Sequence, residues 1–181
     1  YVSRTTAAKA DAIAHATRKA ITEKMEEDPA LYEKFSRLIQ QAIDDFKAKR
    51  ISDLEYLKRV TEIRSKVVHR IHEEVPEKLA GKDDATAFYG VLKPFFQGHE
   101  LDSESCDELS ADTALAICGI LLRHWKVHFW DDYDAQKRVM NDIDDYLYDE
   151  IKGGRGIALS VEQMDEIIDG SMQLARHRMP A

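Results

Sequence analysis

His124 and His128 stand four residues apart beside an apolar run, with Asp131 and Asp132 close behind. On a continuous helix that spacing projects both imidazoles from one face, where with a carboxylate they would suit a divalent metal. No glutamate follows His124, so the zinc-protease pattern is missing. A packing or surface role for the two histidines is the stronger reading, and His69 with His72 makes a weaker pair still. The acidic residues Asp142, Asp144, Asp145, Asp149 and Glu150 invite a cation. They lack the glycine and the ordered oxygen spacing of a calcium loop, and a helix would spread them around its cylinder. A solvated face fits them better, with electrostatic matching to a basic partner as the functional alternative.

Gly153, Gly154, Arg155 and Gly156 offer flexible backbone. A phosphate loop needs donors feeding a helix N-terminus, and here the next helix signal waits until Ser160. The structural reading is a helix stop. Trp125, Phe129, Trp130 and Tyr133 cluster after the apolar run. Such aromatics either lock two helices together or anchor a partner. No nucleophile–base pair, dinucleotide-binding glycine pattern or phosphate loop stands out in the sequence.

The elements that must position these residues are helical. With 8 glycines and 4 prolines in 181 residues, long uninterrupted helices have room. An apolar fraction of 44% against 33% charged suits a soluble all-α protein, an irregular bundle of about six helices. The length fits a single helical domain over 1–181. No apolar run approaches the ~18–20 residues that span a bilayer. Two cysteines, Cys106 and Cys118, make no disulfide framework, which points to a reducing, cytoplasmic setting. The chain opens on Tyr1 with helical pattern close behind, as a piece of a longer protein would.

Charge is uneven. Residues 100–150 carry 4 Lys/Arg against 14 Asp/Glu. Such a segment repels a phosphate backbone, so autonomous duplex binding is not expected.

A first helix is expected over residues 7–25, with Ala10, Ile13, Ala14, Ala20 and Ile21 inward. Asp28 reads as an N-cap with Pro29 behind it, starting a second helix on Leu31, Phe35, Leu38, Ile39, Ala42, Ile43 and Phe46. Ser52 and Glu55 read as a capping box for a third, buried through Leu54, Leu57, Val60, Ile63, Val67 and Ile71. These two helices should pack antiparallel, Phe35, Leu38 and Phe46 facing Leu54, Leu57 and Val60. A short helix over 85–97 is expected to close near Pro94, followed by a polar loop over 97–110. An apolar core helix over 114–130 and an acidic-faced one over 134–151 come next, and a last helix is capped by Ser160 with Gln163.

Residues 26–39 (EEDPALYEKFSRLI), the run on through Phe46 to 51–57 (ISDLEYL), and 12–19 (AIAHATRK) together carry a resemblance. They resemble the carboxy-terminal helical region of the R (HsdR) subunit of type I restriction-modification enzymes. Phe129, Trp130, Asp131 and Asp132, through Val139, Met140, Ile143 and Leu147, form a second, looser part. There the family pattern is a basic helix, whereas this chain places Asp142, Asp144, Asp145 and Asp149.

The resemblance implies a non-catalytic domain that docks an ATP-driven translocase onto the methyltransferase–specificity core. ATP, Mg2+ and the nuclease site would then belong to other parts of the parent chain. Its partners would be the methyltransferase and specificity subunits and the motor domains of the same chain, with DNA reached only through the complex and no membrane. Trp125, Phe129, Trp130, Tyr133, Asp142, Asp145 and Asp149 are the expected contact residues. A helical regulatory or nucleotide-sensing module is the alternative, and a metal-dependent helical enzyme a weaker one.

Overall fold

A computed structural model describes residues 6–180. Among these the chain forms seven α-helices and no strand. The contacts group into two compact units, Tyr1–Glu73 and Glu74–Ala181. Each has its own apolar core.

Unit 1 is a three-helix bundle of α1 (Thr6–Lys24), α2 (Pro29–Lys47) and α3 (Asp53–His69), each packed on the other two. Asp28 caps α2 as expected, accepting from the Leu31 N–H at 3.3 Å, with Pro29 in the first turn. The start of α2 lies by the chain leaving α3, where His72 Nε2 comes within 3.2 Å of the Asp28 carboxylate. The far ends meet where Phe46 stacks on Tyr56 at 4.3 Å. α2 is therefore antiparallel to α3.

The expected facing set needs correction. Leu54 is 72% exposed and Leu38 38% exposed. Tyr56, Val60, Ile63 and Val67 form the inward stripe of α3. Leu54 sits two residues from Tyr56, about 200° around the helix, so both cannot face the core. Tyr56 wins because its ring covers Phe46 and its hydroxyl reaches Asp11 of α1 at 3.1 Å. Ile71 lies beyond the end of α3, which stops at Arg70 in the left-handed region (φ 49°).

Unit 2 is a four-helix bundle of α4 (Asp83–Gln97), α5 (Ser103–His124), α6 (Tyr133–Tyr146) and α7 (Val161–Arg178). Contacts run α4 to α5, α5 to α6, α6 to α7 and α7 back to α4, closing a ring. Neighbours are antiparallel: the start of α4 meets the end of α7 through Asp83, Asp84 and Arg178.

The polar loop expected over 97–110 is mostly helix. α5 starts at Ser103, with Asp102 capping it through the Ser105 N–H at 2.7 Å. Ser110 and Thr113 are buried inside it because their hydroxyls donate to the Cys106 and Leu109 carbonyls at 2.6 and 2.8 Å. α5 also stops at His124, not 130. α6 passes into a π-helical turn, Leu147–Gly154. Its inward residues Val139, Ile143, Leu147 and Ile151 recur every four positions. A strict α-helix would rotate Ile151 about 120° off the stripe set by Val139, and the wider π turn brings it back. Ser160 and Gln163 complete a two-way capping box on α7, as the sequence reading expects.

Candidate functional site

The aromatic cluster is built into unit 2. Phe129 is fully buried in a 3-10 turn, Phe129–Asp131, between α5 and α6. Trp125 stacks on it at 4.8 Å, and Trp130 meets it edge-on at 4.8 Å. Trp130 then fastens the end of α7: its indole N–H donates to the Met179 carbonyl at 2.8 Å, and the Arg176 guanidinium lies 4.9 Å over its ring. Gln136 ties the turn from the α6 side, donating to the Phe129 and Trp130 carbonyls at 3.2 and 3.0 Å. Of the four expected contact aromatics, Tyr133 alone stands out into solvent, at 68% exposure.

The geometry behind a His124–His128 metal pair is missing. α5 ends at His124, and His128 sits in the left-handed region (φ 59°), so the two share no helical face. His124 Nε2 meets Asp142 at 2.6 Å, and His128 Nδ1 lies 3.5 Å from Asp131 on the surface. His69 Nδ1 pairs with the Ser65 carbonyl at 2.8 Å. Among the described residues no group of three or more His, Cys, Asp or Glu is placed to hold a metal ion.

The glycine turn serves the fold. Arg155 caps the π turn, and its guanidinium reaches Asp112 of α5 at 2.7 Å. Lys78 meets the same carboxylate at 2.8 Å. Burial pushes the Asp112 pKa up, but the hydrogen bonds from Lys78 and Arg155 outweigh it and hold the carboxyl below its ordinary value.

The acidic set divides in two. Asp142 is engaged by His124 and by Arg123 at 3.6 Å. Asp144, Asp145 and Asp149 lie exposed with no side-chain partner among the described residues. By sequence, unit 1 carries 15 Lys/Arg against 12 Asp/Glu, while unit 2 carries 11 against 22. Surface charge capable of steering a basic partner is thus concentrated on unit 2.

One feature of that surface was not legible in the sequence. The outward side of α5 is bordered by two grooves that meet at Gly119. One, of about 450 Å³, lies towards α6 and is lined by Ala116, Gly119, Ile120, Arg123, Asp142, Asp145 and Tyr146. The other, of about 440 Å³, lies towards the start of α4, over Ala85, Leu115, Cys118, Leu122 and Met179, with Asp83 and Asp84 at its edge. Leu122 is 64% exposed there. Burial pushes the Cys118 thiol up to about 12, so it is an apolar wall rather than a nucleophile. The hint was the apolar run of α5, which continues around the helix beyond one inward face.

No protein-family model, curated protein or solved structure matches the chain. Among the described residues no helix is long and apolar enough to cross a membrane.

Proposed function

We propose that the chain is a non-catalytic helical domain of a type I restriction R subunit, which docks the motor onto the methyltransferase–specificity core. The sequence resemblance supplies the family. The observation that carries the docking role is the open acidic surface of unit 2, where Asp144, Asp145 and Asp149 have no partner among the described residues, whereas Asp142 and Arg155 are paired within the fold. Unpaired surface carboxylates add little to a domain's own stability, but they steer and orient a basic partner. The departure from the family's basic pattern at 142–149 favours a protein surface over a DNA backbone as the object of this face.

Within this reading Asp145, Asp149 and Tyr133 are the contact residues. Trp125, Phe129 and Trp130 hold the end of α7 and the α5–α6 corner in place beside Tyr133, while Asp145 and Asp149 stand at the far end of α6. The test is competition: this chain should displace full-length R subunit from a reconstituted methyltransferase–specificity core. Failure to compete at a large molar excess would remove the docking role.

A further inference from the structure

Gly119 lies in the interior of a 22-residue helix, where glycine is less favourable than alanine. A Cβ built there would meet no atom within 4 Å, so no close approach inside unit 2 calls for the glycine. Gly170 of α7 is equally open, but it lines neither of the two α5 grooves. Gly119 alone sits where two grooves join, on a helix side that also presents Leu115, Cys118 and Leu122. Removing a side chain at that point lets a second helix approach α5 closely, as small residues do at tight helix crossings.

The rims say what kind of helix. On the α6 side stand Asp142 and the unpartnered Asp145, with Asp149 about one turn further. On the α4 side stand Asp83 and Asp84, both about half exposed while holding Arg178. The basic groups lining the grooves are Lys82 and Arg123, and the latter is already beside Asp142. Arg178 already engages Asp83 and Asp84, so the open negative charge lies on the α6 side, and an apolar floor beside it is complementary to an amphipathic helix with small apolar anchors and Lys or Arg along one edge. We propose that the outward side of α5, centred on Gly119, is the binding groove for one basic amphipathic helix of a partner protein. The lining residues from Leu115 to Arg123 span about 12 Å, enough for two turns of the bound helix.

This assignment rests on the docking reading for its partner and on the geometry of unit 2 for its site, and the test separates the two. The probe is a fluorescein-labelled helical peptide of about 16 residues, alanine and leucine on one face and lysine on the other, titrated with the whole chain by fluorescence anisotropy. Binding with a Kd on the order of 10 μM is expected, weakening as salt rises. Gly119→Leu fills the junction and should weaken binding at least about tenfold. Gly170→Ala should leave binding unchanged, and circular dichroism confirms that both variants fold.

Three results would overturn the proposal: no binding at about 500 μM, a Gly119→Leu variant that binds like the parent, or equal binding of a peptide of the same composition with its helix broken by proline. Any of these leaves displacement of the full-length subunit by the chain untouched, so the groove fails without the docking role.

Discussion

The indole N–H of Trp130 donates to the backbone carbonyl of Met179 across 2.8 Å, joining the corner before α6 to the residue that ends α7. That bond gives Trp130 a task inside the fold. Trp130 spends its one donor inside unit 2, and its ring is occupied by Phe129 on one side and Arg176 on another. Truncating it to alanine removes packing and leaves the carbonyl at 179 without its donor.

Trp130→Ala should therefore destabilise unit 2 by about 3 kcal/mol, and Trp130→Phe by about 1 kcal/mol. Urea denaturation followed by circular dichroism measures both. Amide exchange should show lost protection in the last turn of α7 in each. If Trp130→Ala kept full stability, the aromatic corner would not be the strut described above.

In unit 1, Asp28 combines two tasks: it caps α2 and faces His72. Asp28→Ala should cost about 1 kcal/mol, with increased amide exchange at Tyr32 and Leu31. Asp28→Asn keeps the cap acceptor and should recover most of that loss. Equal losses in the two variants would place the stabilisation in the carboxylate–imidazole contact instead.

Acid sensitivity should centre on Asp112. Its carboxyl is held below the ordinary value of 3.8 by Lys78 and Arg155, against the opposing effect of burial. A depressed native pKa contributes stability that is fully present above 3.8 and lost as pH falls through the native value. Asp112→Asn should flatten the decline in stability below about pH 4 and lower the plateau at neutral pH. A parent-like acid limb in the variant would move the acid sensitivity elsewhere, Asp45, Glu73 and Asp132 being other depressed carboxyls with cationic partners.

Gly119→Ala and Gly170→Ala should each raise stability by about 0.5–1 kcal/mol, since each added methyl enters open space on a helix. Thermal denaturation monitored at 222 nm suffices. Destabilisation at Gly119 would mean that the fold itself requires the glycine, and the groove would lose part of its basis.

Much of the fold was readable from local chemistry. Asp28 with Pro29, and Ser160 with Gln163, announce helix starts because capping is settled by three or four adjacent residues. The polar stretch 97–110 misled because serine and aspartate signal loops, yet Asp102 caps α5 and the Ser110 hydroxyl donates to the carbonyl four residues back, as Thr113 does one turn on. Leu54 misled because hydrophobicity alone cannot tell which of two competing stripes turns inward; the Tyr56–Asp11 bond, 45 residues apart in sequence, helps to decide it. The aromatic cluster and the acidic residues were legible as candidates. Their roles were not, because those depend on which groups the tertiary fold leaves unpaired: Asp145 and Asp149 remain open, whereas Asp142 does not.

The proposed docking role places the acidic side of unit 2 against a basic partner surface. Light scattering of the chain with a reconstituted methyltransferase–specificity core, across a salt series and alongside Asp145→Lys/Asp149→Lys, tests it most directly. A complex that weakens as salt rises is expected, and the double reversal should weaken it at least about tenfold with helix content unchanged. No complex at concentrations on the order of tens of micromolar, or a double variant that binds like the parent, would contradict it.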